Sequence, residues 1–583
     1  MMRYTISTLF LLGCPGQVGD KTPIVGGDSG AEETGSRDTD TGACDAQTWY
    51  ADVDSDGFGD PAVQVSSCDR PDGFVANAGD CDDTNADRYP EAQEICGDGL
   101  VNDCDDTDGS AAAASCPSSG PYQLTAADAK LLGEGEDSFA GWAVAGAGDV
   151  NGDGYADLLV GARWVAGEFG TAYRVLGPVT GHISLGDAAT KLLTPDSGVW
   201  AVANAGDQDG DGLPEMLVGT PGGGSDLEGT ALLVPASAMG ELSPADVSAT
   251  LIGESRYDWA GYSVSGLGDA DGDGWDDLLV SAPFATGSES TTGHCADEDA
   301  EEYGDESGQA AGAVYLLQGP VFGTIDLSMA TAKLLGEDGN DIAGYLLAHP
   351  GDMNGDGLAD LLMSAPGQCE SGLHAGAAYV VYGPVSGDLS LRDADMKVTG
   401  EDGYLAAGTA LSGAGDVDGD GYADMLVGAS DRIERGITYL VLGPGGGVVS
   451  LSDADATLAG EGRDDQSGYS VGSIGDLDLD GHDDLIIGAI GVEADETGNV
   501  GASYLVYGPI GGEGLLRDAD VKLMGAGGLG CVGYSVDGAG DVDADGRPDV
   551  VLGDPCDSEA GDDAGAAYLV LSSGPIIDGG YGP

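Results

Sequence analysis

Seven times between residues 148 and 554 the chain repeats an acidic loop followed by an apolar run. The copies read "GDVNGDGYADLLVGA", "GDQDGDGLPEMLVGT", "GDADGDGWDDLLVSA", "GDMNGDGLADLLMSA", "GDVDGDGYADMLVGA", "GDLDLDGHDDLIIGA" and "GDVDADGRPDVVLGD". They recur at roughly sixty-residue spacing, a period that marks a propeller, solenoid or array. One longer interval holds an acidic insertion at 286–310.

Each repeat has the same order of parts. A strand of small residues, such as "GWAVAGAGD" or "GYSVSGLGD", leads into the loop, and an apolar strand such as "ADLLVGA" leaves it. A third strand follows ("GTAYRVLGP", "GASYLVYGP"), then a loop with "SLxDA"-like text and a fourth strand ("KLLGE", "LIGE", "KVTGE", "KLMGA"). Short apolar runs bounded by Gly, Pro and Asp read as strands, and four antiparallel strands make one propeller blade. The small-residue strand suits the innermost position, where blades crowd around an axis.

The chain ends bear on closure. The first "KLLGE", Lys130–Glu134, precedes any acidic loop, and the last repeat stops after its third strand, "GAAYLVLSS". The N-terminal strand can therefore complete the last blade and remove exposed sheet edges. The expected fold is all-β: a seven-bladed β-propeller of four-stranded blades over 128–583, closed by that strand. A small disulfide- and metal-stapled module precedes it.

The loop admits three readings. As a plain hairpin turn, Asp-Gly supplies positive φ without steric penalty. That accounts for Gly154 but not for oxygen-bearing side chains at loop positions 1, 3, 5 and 9 of every copy. As an acid–base site it fails on repetition, since seven equivalent copies are not one differentiated constellation. As a cation loop it fits: ligands at alternate positions converge on one ion, Gly permits the bend and a later acid completes the shell. The candidate ligands are Asp149, Asn151, Asp153 and Asp157; Asp207, Asp209, Asp211 and Glu215; Asp269, Asp271, Asp273 and Asp277; and Asp352, Asn354, Asp356 and Asp360. The last three loops offer Asp416, Asp418, Asp420 and Asp424; Asp476, Asp478, Asp480 and Asp484; and Asp541, Asp543, Asp545 and Asp549. Strands flank the loop and its last acid stands at position 9, so it is no EF-hand, which needs helices and a Glu at position 12. Ca²⁺, several ions per chain, is the expected cofactor. Its expected role is structural, turning the mutual repulsion of clustered acids into a staple.

The net charge of −84 excludes ordinary nucleic-acid binding, which depends on cationic neutralisation of phosphates. It also opposes a compact fold unless cations offset part of it. Eleven cysteines without a CxxC pair point to an oxidising, exported setting. The start "MMRYTISTLFLLGCPG" has one positive charge and a short apolar core, a signal peptide over 1–13. Its Leu11-Leu12-Gly13-Cys14 resembles a bacterial lipobox, which implies lipidation of Cys14 and membrane contact only through that anchor. An ordinary signal peptide with an incidental cysteine is the alternative. Residues 14–43 read as a flexible tether.

Residues 44–116 hold Cys44, Cys68, Cys81, Cys96, Cys104 and Cys116 among "YADVDSDGFGD", "GDCDDTNAD" and "CGDGLVNDCDDTDG". A segment this short and poor in aromatics needs disulfides or ions as staples. Asp52, Asp54 and Asp56 are its candidate ligands, all hard oxygen donors suited to Ca²⁺. An acidic linker with disulfides and no ion is the plainer alternative. In the ring, Cys531 and Cys556 stand at neighbouring points of one hairpin and are expected to pair; a pairing of Cys295 with Cys369 is less secure. No catalytic residue is expected. His182, His294, His349, His374 and His482 occupy dissimilar repeat positions, and no nucleophile elbow is expected.

The repeats resemble the FG-GAP repeats of the integrin α-subunit head across 128–583. The resemblance rests on the DxDxDGxxD loop and on GAP-like text after the second strand, "SAP" at 281–283 and 364–366 and "GDP" at 553–555. The aromatic of "FG" is mostly lost. The region 49–108 resembles the metal-binding module of MopE-type bacterial surface proteins and the acidic repeats of thrombospondins. The resemblance implies a calcium-binding recognition or adhesion protein, surface-anchored or secreted, with a protein or polysaccharide ligand on the loop-rich face. The acidic insertion "CADEDAEEYGDES" lies on that face, as ligand site or as solvated loop. A hydrolase-associated or catalytic propeller, and a calcium-loaded envelope protein without a specific ligand, are the alternatives.

Overall fold

The computed structural model describes residues 47–78, apart from 54–57, 69 and 72, and residues 121–573, apart from 166–168, 196, 287–309, 402, 404–405, 431–434, 494–497 and 526–529. The chain divides into two compact units between Gly120 and Pro121. Among the described residues, the smaller unit holds an antiparallel sheet in the order Asp60–Ser67, Gln47–Ala51, Phe74–Val75. Trp49 closes it by donating from Nε1 to the Ser67 carbonyl at 3.2 Å. No helix among the described residues is long and apolar enough to cross a membrane.

The larger unit consists of seven five-stranded sheets, consistent with a β-propeller. In the first, Ala140–Gly148 lies innermost, followed by Asp157–Val165, Phe169–Val175 and Thr190–Pro195, all antiparallel. Gly240–Leu242, from the following repeat, then adds in parallel at the outer edge. The other sheets repeat this order. The sheet begun by Val536–Gly540 takes its fourth strand from Ala129–Leu132, antiparallel to Ala566–Val570, and its fifth from Gly181–Ser184. Tyr122–Gln123 edges the sheet before it, so the unit starts upstream of residue 128.

The sheets are thus five-stranded, not four-stranded as the sequence suggests. The fifth strand escapes a hydrophobicity reading because it is short and mostly exposed, as in Gly181–Ser184, where Ile183 alone is half-buried. Its anchor is the next residue: Leu185, Leu327, Leu391, Leu451 and Leu516 each open a single 3₁₀ turn and are buried. The "SLxDA" text is therefore a strand end, a cap and an apolar peg. In the first copy the Ser184 hydroxyl accepts the Gly186 N–H.

Second and third strands are buried on both faces because each sheet is sandwiched between neighbours. One core cluster joins Leu158, Val160 and Tyr173 to Leu131, Val551 and Leu569 of the last sheet. The innermost strands neighbour one another in order, and Val536–Gly540 neighbours Ala140–Gly148. They approach so closely that a Cβ at Gly146 would lie 2.6 Å from the Gly538 carbonyl oxygen, and one at Gly266 2.2 Å from that of Asn204. Small residues are a steric requirement there.

Five sheets share a device that patterning does not announce. Lys130, Lys191, Lys333, Lys397 and Lys522, all on fourth strands, each place their ammonium over a third-strand tyrosine. Each also pairs with an acid: Lys333 with Glu254 and Lys522 with Glu461 at 2.7 Å, Lys397 with Glu337 at 2.7 Å and Glu370 at 2.6 Å. In a chain with only 19 Lys and Arg, these cations are spent on holding outer strands together.

Candidate metal centre

Each acidic loop joins the first to the second strand of its sheet. Local hydrogen bonds preshape it. In the first loop, Asp149 accepts the N–H groups of Gly152 at 2.7 Å and Gly154 at 2.8 Å, and Asn151 accepts that of Asp153 at 2.8 Å. The bond from the position-6 glycine to the position-1 carboxylate recurs in all seven loops at 2.7–3.0 Å. These side chains hold the backbone as Asx turns do, and they wrap the alternate carboxylates toward one centre. Gly152 and Gly154 adopt positive φ of 74° and 92°. At the position of Gly152, the sixth and seventh loops instead carry Leu479 (φ 63°) and Ala544 (φ 60°).

The acid at position 9 behaves differently. Asp157, Asp277, Asp360, Asp424, Asp484 and Asp549 are fully buried, and Glu215 nearly so. One carboxylate oxygen accepts the N–H of loop position 2, at 2.7–3.0 Å in all seven copies. The other accepts an N–H just beyond the third strand, at 2.7–3.2 Å, from Gly177, Ala236, Gly319, Gly383, Gly443, Gly508 and Ser572. Sequence reasoning took this residue as a closing ligand; the structure places it as the clasp between the hairpin and the third strand. Burial pushes its acid up to about 6 in Asp157, Asp277, Asp360, Asp424 and Asp549, and to about 7 in Glu215 and Asp484. The two backbone N–H donors oppose that shift, and the loop carboxylates add to it.

Carboxylate oxygens gather where the alternation places them. One oxygen from each of Asp207, Asp209 and Asp211 lies within 4.8 Å of the others, and Asp269, Asp271 and Asp273 do the same. Asp416 and Asp418 gather with Asp424, and Asp476 and Asp478 with Asp484, so position 9 joins the cluster there. Asp416 Oδ1 is buried without a hydrogen-bond partner. An all-oxygen donor set with an orphaned carboxylate oxygen fits a hard divalent cation. Asn151 and Asn354 keep an oxygen at position 3 and use it as the aspartates do, accepting the Asp153 and Asp356 N–H groups at 2.8 Å.

In the smaller unit, Asp52 donates its backbone N–H to the Gly73 carbonyl at 3.0 Å. Asp54, Asp56, Cys14, Cys295, the signal peptide, the tether and the acidic insertion lie outside the described residues. Cys531 and Cys556 are joined, with Cα atoms 5.5 Å apart, and Cys369 is disulfide-bonded.

Two features escaped sequence reasoning. Gly468-Tyr469-Ser470-Val471-Gly472 matches G-x-S-x-G, but Ser470 lies within the inner strand Ser467–Gly475. Its hydroxyl donates to the Gly533 carbonyl at 2.7 Å, whereas a nucleophile elbow sits on a strand-to-helix turn. The aromatic missing before the repeat glycine stands after it, in Trp142, Tyr262, Tyr345, Tyr469 and Tyr534. These side chains interlock, Trp142 with Tyr534 at 4.7 Å and Tyr262 with Tyr345 at 5.2 Å between ring centroids. The Arg163 guanidinium lies 4.3 Å from the rings of both Trp142 and Trp200. The sign available in the sequence was the Gly-aromatic pair itself.

Comparison with known proteins agrees with this geometry. The FG-GAP repeat family model matches residues 140–173, 260–317, 345–381 and 407–450. A second model, described as "Putative metal-binding motif" of the MopE type, matches 80–109, downstream of Asp52, Asp54 and Asp56. The chain is 29% identical to integrin alpha pat-2 of Caenorhabditis elegans over 38% of its own length and 17% of that protein. It is 31% identical to integrin alpha-PS2 of Drosophila melanogaster over 39% of its length and 15% of the fly protein. A 34% identical segment, 25% of the chain, aligns with 19% of phosphatidylinositol-glycan-specific phospholipase D of Rattus norvegicus. The chain thus spans less than a quarter of the length of these relatives. Parts of the chain thus match the FG-GAP repeat and MopE-type metal-binding models, and its larger unit, with sheets consistent with a β-propeller, is similar to segments of integrin alpha chains.

Proposed function

We propose that the larger unit is a closed seven-bladed ring loaded with calcium at its acidic loops, and that it serves as an exported recognition or adhesion module. The observation that carries the reading is the sevenfold repetition of one oxygen-lined loop with the same internal hydrogen bonds. Repetition of a single cation site stabilises a scaffold and leaves the opposite, variable loops free to recognise a partner. Calcium is preferred to magnesium because the ligands come from a short loop with many carboxylates, which suits a larger ion of adaptable coordination. Closure is supported by the pairing of Ala129–Leu132 with Ala566–Val570. Export is supported by the Cys531–Cys556 bond, and anchoring would follow from lipidation of Cys14. The ligand is a protein or polysaccharide outside the cell.

Calcium titration of the full chain, with ions counted per chain and melting followed with and without chelator, tests the scaffold half. Several bound ions and a large loss of stability in chelator are expected; no bound ions and unchanged melting overturn it. Binding screens against polysaccharides and surface proteins test the recognition half. The aligned phospholipase segment keeps a hydrolase-associated role as the second reading, and turnover in a hydrolase panel would favour it.

A further inference from the structure

The loops touch one another through their backbones. The N–H at position 8 of one loop donates to the carbonyl at position 1 of the loop before it. Ala359 donates to Asp269 at 3.2 Å, Ala423 to Asp352 at 3.1 Å and Asp483 to Asp416 at 3.0 Å. Ala156 of the first loop donates to Asp541 of the last at 2.8 Å, across the two ends of the chain. The second and third loops are joined by other atoms: the Asp276 carboxylate accepts the Asp207 N–H at 2.9 Å, and its carbonyl accepts Gln208 Nε2 at 2.7 Å. Asp483 adds the same side-chain bond, accepting the Asp416 N–H at 2.8 Å.

Two junctions differ. Position 8 is Pro214 in the second loop and Pro548 in the seventh. Proline has no N–H to donate. The backbone link is therefore missing between loops one and two, and between loops six and seven.

We propose that the cation sites act as one coupled run, loops two to six, and one coupled pair, loops seven and one, separated by seams at Pro214 and Pro548. This rests on the calcium reading above. Each link runs from the peptide of one loop's position-1 ligand to the residue preceding the next loop's position-9 acid. A cation that fixes the position-1 carboxylate also fixes the carbonyl that receives the neighbour's N–H. The neighbouring loop is then partly ordered before its own ion arrives, and by linkage the effect is reciprocal. At the proline seams, ordering one loop leaves the next without that constraint.

The test uses the full chain and calcium alone, with bound ions counted and amide hydrogen exchange read loop by loop across a titration. The reporters are the position-6 amides Gly154, Gly421 and Gly546, which donate to the position-1 carboxylates. Asp352→Asn weakens the fourth loop; the coupling predicts that the calcium midpoint for protecting Gly421 in the fifth rises about fivefold or more. In an Ala423→Pro background that shift is lost. The second and seventh loops already carry proline at this position, so the backbone there accommodates it. Asp541→Asn is expected to shift Gly154, whereas Asp476→Asn is expected to leave Gly546 unmoved. If Ala423→Pro does not fold, Pro548→Ala serves instead: it restores a donor at the seam, and Asp476→Asn should then shift Gly546. Bound calcium with shifts confined to the mutated loop, or crossing the prolines as readily as the other junctions, overturns the coupling and leaves the calcium reading standing. No bound calcium overturns both.

Discussion

Asp157 and Gly177, 20 residues apart, are joined by a 2.7 Å hydrogen bond from the glycine N–H to the buried carboxylate. The acid that ends the acidic loop is thereby also the acid that fixes where the third strand turns. Asp277→Ala removes the equivalent acceptor from the Ala270 and Gly319 N–H groups. Buried donors left unsatisfied cost about 1–3 kcal/mol each. The variant should lose that stability in denaturant titrations carried out in chelator, where ion loss cannot contribute. Asp271→Ala, at half-buried loop position 3, removes only an acceptor of the exposed Asp273 N–H; it should cost less than Asp277→Ala in chelator and show its main effect with calcium present.

The raised position-9 acids set a pH dependence for the cation-free protein. A carboxylic acid whose pKa is higher folded than unfolded binds more protons in the native state, so stability falls as pH rises from the unfolded value near 4 through the folded value. With folded values of about 6 to 7, the window is pH 4 to 7. Melting in chelator should therefore drop between pH 5 and pH 7.5. Calcium should reverse the trend, because deprotonation then favours ion binding. A cation-free melting temperature that climbs with pH over this range would contradict the assignment.

Leu479 and Ala544 hold positive φ where five other loops have glycine, and Leu479 is 57% exposed. The left-handed region costs a side-chain-bearing residue about 1–2 kcal/mol, partly offset by the entropy glycine loses on folding. Leu479→Gly should therefore stabilise the protein by roughly 0.5–1 kcal/mol in equilibrium unfolding. Gly152→Ala should do the reverse.

Lys397 is nearly buried between Glu337, Glu370 and the ring of Tyr379. Replacing it with Met leaves Glu337 without its cation, and breaking a buried pair from one side costs about 3 kcal/mol or more. Lys191→Met, at a wetter copy of the same device, should cost less. Urea unfolding of both variants measures the difference.

The repeat and the inner, second and third strands were legible because their residues carry the reasons: acids at alternate positions, glycines where a Cβ would strike a neighbouring carbonyl, apolar runs buried on both faces. The fifth strand was not legible. Gly181–Ser184 is four residues long and exposed but for the half-buried Ile183, too little to stand out beside the following Leu185. In the candidate site, the gathering of the alternate acids could be read from spacing, but the clasp formed by Asp157 could not. Its partner Gly177 gives no sign in the sequence of needing an acceptor. Links such as Ala156 to Asp541 were hidden for the same reason, since backbone donors look alike in every sequence.

The pairing of Ala129–Leu132 with Ala566–Val570 also sets a clock. A chain made from its N-terminus exposes the first of these strands long before the second exists. At about 5–20 residues per second, the more than four hundred residues between them take on the order of tens of seconds to synthesise. Throughout that interval the earliest strand has no partner on its third-strand side. A truncation that ends before Ala566 leaves it in that state permanently, while a circular permutant cut in a loop between sheets brings the two strands together early in synthesis.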